Sequence, residues 1–538
     1  MKKIILFLLL FSNAFFAQIT KLSSLSSSKF LDSQIIYEDN GEDVFGYLIL
    51  FAKDKINDNE TTFEIALLDK NLNKVGITTF TQETFSSWIF KSSWSLYSVK
   101  KIKDKIYIPS GQNYSSIDSS IEDLIAEKGT CGLRILDLKT FTISDNYLVK
   151  DFGFQKQTEK FDVKHPFKMM KQIKGLNLVK PTKNNGFLIS DRDYFNTLME
   201  SQSGIVISFS KKSKKEQAFY FYDLELNKKW TYNLNQDEDS KSFFKYNYFD
   251  GDGKDLVIIK KYFKNIGDEI SDISFDVINS DTGLKKFEIA LADNEKTFEF
   301  EKFLFEKDKI VLFASVYEFN EKGKCNPKKK QGYVKMSYDR LTGKQIGKDY
   351  LYWNSFGKNF DINEDGKIKD YGFIQFLDFK LIDNGKTIVI AEGYKPERFT
   401  KILDIFTLVF DDKMKLLEFK KIDKTKNKAP WLDACYGKEL ENKSSFDYMY
   451  SQKLPGNGYV FYYSDNEKEG YSSHKNPKWI LGVITYVDGT FGFQKVPLTT
   501  ERGQIYPIRA KNGYILLKEL PNKDSDNDPE LRLEKINY

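Results

Sequence analysis

The chain has 538 residues, with 82 Lys or Arg against 77 Asp or Glu, so its formal net charge at pH 7 is only +5. A charge this small over such a length gives no electrostatic argument for a nucleic-acid partner. Aromatic residues make up 15% of the chain and Pro only 12 positions, a composition that suits β-strands and argues against disorder.

The first 17 residues have the layout of a secretory signal peptide. Lys2 and Lys3 precede an apolar run at 4–11, and Ala17 is a small residue at the expected cleavage point. The run is shorter than the ~20 residues that a membrane-spanning helix needs. We therefore expect residues 1–17 to be removed and residues 18–538 to form one domain. Such a domain would be exported to the periplasm or the cell surface, and the periplasm is favoured because the last residues read as part of a blade.

One apolar segment recurs eight times, which indicates a repeat fold. Its copies begin at Gly46, Lys105, Gly186, Asp255, Lys309, Thr387, Gly458 and Gly513. In most units a second strand-like segment follows and ends at an acidic or amide residue. These residues favour turns because their side chains bond backbone groups two positions on. They are Asp69, Asp137, Asp223, Asn279, Asp339, Asp411 and Asp488.

Two further strands fit in most units, and no helical spacer separates the units. The pattern predicts an all-β protein, a β-propeller of eight four-stranded blades, with seven blades as the alternative. The eighth unit lacks a fourth strand, while residues 19–27 precede the first complete unit. We expect this N-terminal strand to pair with the C-terminal blade and close the ring, which removes exposed sheet edges.

The stretch "FDGDGKDLVII" at 249–259 resembles half of a calcium-binding loop. It aligns, however, with tight turns at the same place in other units, none of which carries its full set of acids. Asp-Gly supplies the positive backbone angles that a two-residue hairpin turn needs. We interpret it as the first hairpin of the fourth unit.

Counted along each four-stranded unit, the recurring apolar segment is the second strand and the segment that follows it is the third. The connections between these second and third strands are long and variable, for example at 191–216, 318–331 and 464–478. Variable insertions on one face of a repeat protein are typical of a binding face. The basic residues in these connections are candidates for contacting protein or glycan: Lys211, Lys212, Lys328, Lys329 and His474. The alternative is that they are solvated loops, and the corresponding connections of the second and eighth units are acidic.

The stretch "DINEDGKIKD" at 361–370 is the candidate metal site. Asp361, Asn363 and Asp365 match the first three ligand positions of an EF-hand loop. The glutamate expected at position 12 is replaced by Gly372, so an Asx-rich turn is the alternative. Calcium is therefore the one cofactor that the sequence suggests, and otherwise we expect none.

Catalytic motifs are missing from the sequence. The chain has two histidines and no HExxH or GxSxG motif. It therefore lacks the residues that a zinc metalloprotease site or a nucleophile elbow requires. Paired carboxylates perform glycoside hydrolysis, but 77 acidic residues offer no way to choose two.

Two stretches resemble a known propeller motif. The segment "SYDRLTGKQIG" at 337–347 resembles the tryptophan-docking motif of eight-bladed quinoprotein propellers, although Gly347 holds the tryptophan's place. The segment "FYDLELNKKW" matches it loosely, with Trp230 one residue early. A generic propeller turn explains both without a cofactor.

The "FFAQ" leader, the repeated strand–turn units and the ending "LRLEKINY" together resemble uncharacterised exported proteins of flavobacteria and related bacteria, a family of unknown function. The resemblance implies no activity. We expect a monomeric binding or scaffold propeller that contacts protein or glycan of the cell envelope, without nucleic acid and without a transmembrane segment. The alternative is a propeller enzyme acting on carbohydrate, which should have two or three carboxylates converging in a deep central pocket.

Overall fold

A computed structural model gives the structure of the chain. It describes residues 18–39, 43–86, 90–96, 99–116, 131–150, 153–173, 178–181, 187–190, 217–234, 243–249, 254–263, 272–291, 296–318, 330–359, 361–364, 366–369, 372–382, 385–397, 400–428, 437–442, 445–454, 456, 458–466, 479–498, 503–521 and 528–536.

The described strands form eight sheets, numbered here along the chain. The first strand, β1 (Gln18–Lys21), belongs to sheet 8. Sheet 1 contains β2 (Lys29–Tyr37), β3 (Val44–Asn57), β4 (Glu60–Asp69) and β5 (Lys74–Glu83). Sheet 2 contains β6 (Phe85–Ser86), β7 (Phe90–Leu96), β8 (Lys100–Ile102), β9 (Lys105–Ser116), β10 (Cys131–Asp137), β11 (Tyr147–Lys150) and β12 (Gly153–Lys156).

The helix α1 (Pro166–Ile173) follows, and then sheets 3 to 5. Sheet 3 contains β13 (Leu178–Pro181), β14 (Phe187–Ser190), β15 (Gln217–Tyr222) and β16 (Lys228–Leu234). Sheet 4 contains β17 (Phe243–Phe249), β18 (Asp255–Phe263), β19 (Asp272–Asn279) and β20 (Lys285–Leu291). Sheet 5 contains β21 (Lys296–Phe305), β22 (Lys309–Glu318), β23 (Lys330–Asp339) and β24 (Gln345–Tyr352).

Sheet 6 contains β25 (Lys367–Ile368), β26 (Gly372–Leu381), β27 (Thr387–Lys395), β28 (Lys401–Phe410), β29 (Leu416–Ile422) and β30 (Asn427–Lys428). The short helix α2 (Gly437–Asn442) lies between sheets 6 and 7 in sequence. Sheet 7 contains β31 (Tyr448–Lys453), β32 (Tyr459–Asn466), β33 (Trp479–Val487) and β34 (Thr490–Pro497). Sheet 8 contains β35 (Gly503–Arg509), β36 (Tyr514–Pro521) and β37 (Glu530–Lys535) together with β1. Short 3-10 helices occupy Leu22–Ser24 and Trp353–Asn359.

The all-β class and the propeller arrangement are confirmed. The chain divides into two compact units, one of residues 1–179, 452–458 and 485–538 and the other of residues 180–451 and 459–484. Strand pairing distinguishes eight sheets, but the propeller arrangement has seven blades, so the alternative prediction of seven is confirmed and the main prediction of eight is one blade too high.

The recurring apolar segment is an interior strand of every sheet: β3, β9, β14, β18, β22, β27, β32 and β36. In sheet 5 this strand, β22, is buried on both faces between β21 and β23, from Ile310 to Tyr317. A strand covered on both sides reads as a continuous apolar run rather than as an alternating one. The fourth strands lie at sheet edges and alternate, as in β5, where Val75 and Ile77 are exposed and Phe80 is buried. The repeat in the sequence therefore marks the strands that build the core.

The predicted Asx turns occur at the end of the strand that follows the recurring apolar strand in sequence. In each of six turns the side-chain oxygen of the Asp or Asn accepts the backbone N–H two residues on. These acceptors are Asp69, Asp137, Asp223, Asn279, Asp339 and Asp411. The turn prediction is confirmed for these positions, and their acids are occupied by local backbone bonds.

The expected pairing of the N-terminus with the C-terminal sheet is also present. Strand β1 is antiparallel to β37, with Ile19 opposite Arg532 and Thr20 opposite Leu531. Just after β1, Leu22 is buried in the same core as Leu531. The N-terminal strand thus supplies the fourth strand that sheet 8 lacks in sequence.

The hairpin interpretation of "FDGDGKDLVII" agrees with the strand pairing. Strands β17 and β18 are antiparallel, with Phe249 opposite Val257. The turn itself, 250–253, lies outside the described residues. The acid that ends it, Asp255, is buried and receives Arg340 Nε at 2.7 Å and Lys286 Nζ at 3.0 Å. Asp255 therefore holds neighbouring turns of sheets 4 and 5.

An aromatic ring at the start of β16 packs on the turn of the next sheet, although the tryptophan-docking motif is incomplete. Trp230 donates its indole N–H to the carbonyl of Ser280 at 2.9 Å. A Cβ on Gly283, whose φ is +70°, would lie 2.5 Å from the Trp230 ring. Phe287 stands in the same relation to Gly343 of sheet 5. The glycines of these turns therefore make room for the ring of the preceding sheet.

Candidate functional site

The candidate binding residues of the long connections cannot be placed. Lys211, Lys212, Lys328, Lys329 and His474 all lie outside the described residues. Their role as a contact surface stays a prediction.

The candidate calcium loop is partly described. The side-chain oxygen of Asn363 accepts the backbone N–H of Lys367 at 2.9 Å, so it is engaged in an Asx turn. Asp361 is exposed, with Lys369 Nζ at 3.9 Å, and Asp365 lies outside the described residues. In the part of the chain that the structure describes, no three His, Cys, Asp or Glu side chains are grouped to hold a metal ion. Calcium binding remains a prediction that a calorimetric titration would test.

The structure brings together charged residues that the sequence did not single out. We call the following residues of sheets 5 and 6 and of α2, all in one unit, the carboxylate–lysine cluster: Glu299, Glu301, Ser315, Tyr317, Lys330, Tyr333, Gln375, Lys438 and Glu441. Three carboxylates and two ammonium groups are thus placed among buried strands.

Glu301 is the centre of this cluster, and its side chain is only 2% exposed. Lys438 Nζ donates to one carboxylate oxygen at 2.8 Å. The other oxygen accepts from the Ser315 hydroxyl and, at 3.3 Å, from the Gln375 amide. Lys330 Nζ lies 4.0 Å from it. The charge of Glu301 is therefore covered by groups of the chain itself.

Lys330 and Tyr333 form the second part of the cluster. Lys330 Nζ donates to the Tyr333 hydroxyl at 2.6 Å and to Gln375 Oε1 at 3.0 Å. The same hydroxyl accepts the backbone N–H of Phe376 at 2.7 Å, and the rings of Tyr333 and Phe376 are stacked 3.9 Å apart. These bonds fix the lysine in one position between the two sheets.

Burial and neighbouring charges push the pKa values of the cluster apart. Burial raises the pKa of Glu441 to about 7, with the Glu301 charge acting in the same direction. Burial likewise raises the pKa of Glu299. At Glu301 the effect of burial is outweighed by Lys438 and Lys330, so its pKa is lowered. Burial lowers the pKa of Lys330 to about 8, although Glu301 and Glu299 oppose the shift. Glu301 is thus the ionised member and Glu441 the one that titrates near neutral pH.

A second buried ion pair lies in the same unit. Lys424 Nζ is 3.1 Å from Glu392 and also pairs with Asp447, and the side chains of Lys424 and Glu392 are fully buried. Glu392 accepts the backbone N–H groups of Asp447 and Tyr448. Burial raises the pKa of Glu392 to about 7 even though Lys424 opposes it.

Asp378 on β26 is a further buried acid of this unit. It accepts the hydroxyls of Tyr448, at 2.7 Å, and Ser451, and pairs with Lys302 and Lys380. Burial alone would raise its pKa, but the two lysines lower it. Like Glu301, Asp378 is an ionised carboxylate whose oxygens are already engaged.

One signal in the sequence could have found part of this arrangement. In "FEFEKF" at 298–303 two glutamates occupy alternate positions of a strand and so share one face. Acids on a face that packs against other sheets need partners. The partners are far away in sequence, since Lys438 is 137 positions from Glu301, and no local pattern reveals them.

Among the residues that the structure describes, none of the helices has the length and apolar character needed to cross a membrane. A model of the family of unknown function DUF6770 matches residues 154–400 and 397–537 of the chain. No curated protein matches the sequence.

Several solved structures match the chain at low identity and low TM-score. BamB from Moraxella catarrhalis is 9% identical and the match covers 96% of this chain and 100% of that one, with a TM-score of 0.34. A prolyl endopeptidase is 10% identical over 92% of this chain, with a TM-score of 0.35, and the match spans only 55% of the endopeptidase chain. The arabinofuranosidase Arb93A from Fusarium graminearum is 8% identical over 66% of this chain and 91% of that one, with a TM-score of 0.27. At these TM-scores the similarities carry no argument about fold or function.

Proposed function

We propose that this chain, which belongs to the family of unknown function DUF6770, is an exported binding or scaffold propeller that contacts protein or glycan of the cell envelope. The observation that carries the proposal is that three buried carboxylates are paired with lysines. Glu301, Glu392 and Asp378 each pair with a lysine of the same chain.

This pairing favours binding over catalysis on physical grounds. Glycoside hydrolysis uses two carboxyl groups on either side of the scissile bond, roughly 5–10 Å apart, with room for the sugar between them. In the carboxylate–lysine cluster the space beside Glu301 is taken by the amine of Lys438, by Ser315 and by Gln375. Such a charge network stabilises one arrangement of the strands when every member is paired.

We expect the long connections between second and third strands to contact the partner. In an antiparallel sheet these connections lie at the end opposite to the turns between third and fourth strands. The basic candidates Lys211, Lys212, Lys328, Lys329 and His474 belong to these connections, and the leader at 1–17 supports export.

The proposal is tested by capture from an envelope extract and by binding to immobilised envelope polysaccharides. We expect the chain without residues 1–17 to retain a saturable partner, and a variant with Lys211, Lys212, Lys328 and Lys329 all changed to Ser to lose most of the capture. The matched control changes four exposed lysines of the opposite turns to Ser, namely Lys70, Lys344, Lys413 and Lys415. Equal loss in both variants would show unspecific charge attraction and overturn the proposal.

An enzyme acting on carbohydrate is the second candidate, and one observation favours it. Glu301 and Glu441 lie in one cluster with pKa values pushed in opposite directions, which is how an acid and a base are told apart in active sites. Hydrolysis of a panel of chromogenic glycosides that disappears in Glu441→Gln and Glu301→Gln, but not in Glu418→Gln, would replace the binding proposal.

A further inference from the structure

The short helix α2 is held against sheet 6 by one apolar and one charged side chain. Leu440 is fully buried among Phe373, Tyr394 and Ile402. Two residues earlier, Lys438 reaches Glu301 of sheet 5. A six-residue helix has little stability of its own, so its place depends on these contacts.

The start of α2 fits closely against β26. A Cβ on Gly437 would lie 2.4 Å from Gln375 Oε1, and the Gly437 backbone hydrogen-bonds to the Tyr394 hydroxyl. Gln375 in turn donates to Glu441 at 3.2 Å. The helix therefore covers β26 and the glutamates of β21 when it is docked.

Glu441 is the acid that α2 itself brings to this contact. It interacts with charged or titratable groups from three elements: Glu301 on β21, Lys330 and Tyr333 on β23 and Lys438 on α2, while β26 presents the neutral Gln375. Its carboxylate meets the amine of Lys438 at 3.1 Å but is repelled by Glu301.

We propose that α2 is a pH-sensitive latch over β21 and β26, which docks most firmly in mild acid and loosens as the pH rises to neutral. A proton on Glu441 removes its repulsion from Glu301 and the cost of burying its charge. The amine of Lys438 then forms an ion pair with Glu301 alone. The latch goes beyond the proposed function, since it controls access to buried strands whichever partner the long connections bind.

The direction in which docking changes with pH follows from proton linkage. Docked, Glu441 has a pKa of about 7, and in water its ordinary value is 4.5. The docked state therefore holds a proton between these pH values that the open state lacks, so docking weakens as the pH rises through this window. Between pH 5.5 and 7.5 the docking constant should fall about twentyfold. Lys330, with a pKa of about 8, stays largely charged in this window.

Hydrogen exchange of the backbone amides of 437–442, corrected for the intrinsic rate at each pH, measures the docking. In the whole protein we expect protection to be about twentyfold higher at pH 5.5 than at pH 7.5. Glu441→Gln, which mimics the protonated acid, should stay protected at both pH values. Glu364→Gln, at an exposed turn residue, is the control and should behave as the unaltered chain.

A second variant keeps the test decisive if Glu441→Gln does not fold, as judged by circular dichroism. Lys438→Gln removes the amine and leaves Glu301 and Glu441 facing each other, so the latch should be open at pH 7.5 and close again in acid. Protection that does not change with pH in the unaltered chain, or that changes equally in Glu441→Gln, would overturn the latch.

Discussion

Lys424 Nζ lies 3.1 Å from Glu392 Oε1, and both side chains are fully buried. Asp447 pairs with the same amine, while its backbone N–H and that of Tyr448 bond to Glu392. The pair thus ties β27, the segment after β29 and the segment that enters β31. A buried charge pair is weak evidence of net stability, but removing one member leaves an uncompensated charge.

Replacing Lys424 should therefore destabilise the protein strongly. Lys424→Met leaves Glu392 and Asp447 buried without their amine, and we expect the free energy of unfolding to drop by about 3–5 kcal/mol. Lys426→Met, two positions on at an exposed side chain, is the control and should change little. Chemical denaturation measures both, and equal midpoints for the two variants would contradict a structural role for the pair.

The pH dependence of stability should report on Glu392. Its folded pKa of about 7 lies above the ordinary 4.5, so between these values the folded protein holds a proton that the unfolded chain has released. The contribution of Glu392 to the free energy of unfolding is then full in acid and falls as the pH rises, by on the order of 2 kcal/mol between pH 5 and 7.5. In Glu392→Gln this part of the slope should vanish. Denaturant titrations at several pH values measure it, and parallel slopes in both proteins would exclude the raised pKa.

The sequence predicted the features that depend on residues close together in the chain. The recurring strands are apolar because they are covered on both faces, as in β22. The turns after the strands that follow them begin with Asp or Asn because these side chains cap their own backbone. Both features repeat, so their pattern was enough to predict the propeller class.

The buried charges were not predictable in the same way. Lys424 stands in "KKIDKTKNK", which looks like a solvated segment, and Glu301 and Lys438 meet only because two sheets and α2 pack together. Burial of a lysine depends on partners that are distant in sequence. The candidate site was therefore visible only once the tertiary contacts were known.

The contact between Trp230 and Gly283 gives a test of the packing between sheets 3 and 4. Gly283→Ala would place a Cβ 2.5 Å from the indole ring at a φ of +70°, and the combined steric and backbone cost should be about 2–4 kcal/mol. Gly489→Ala has a similar φ of +80° but meets nothing within 4 Å, so it should cost only about 1–2 kcal/mol. Denaturation of the two variants compares them directly. If the two costs are equal, the ring contributes nothing at this turn.

Asp255 distinguishes the hairpin interpretation of "FDGDGKDLVII" from a metal loop. The buried Arg340 Nε lies 2.7 Å from its carboxylate and Lys286 Nζ at 3.0 Å. Asp255→Asn keeps the shape but leaves Arg340 without its counter-charge, so we expect a loss of about 3–5 kcal/mol in the free energy of unfolding. Asp281→Asn, at an exposed turn position of the same unit, should change it little. Because Asp255 acts through Arg340, the difference between the two variants should be the same with calcium as with a chelator present. A difference that appears only with calcium would show that Asp255 is a metal ligand after all.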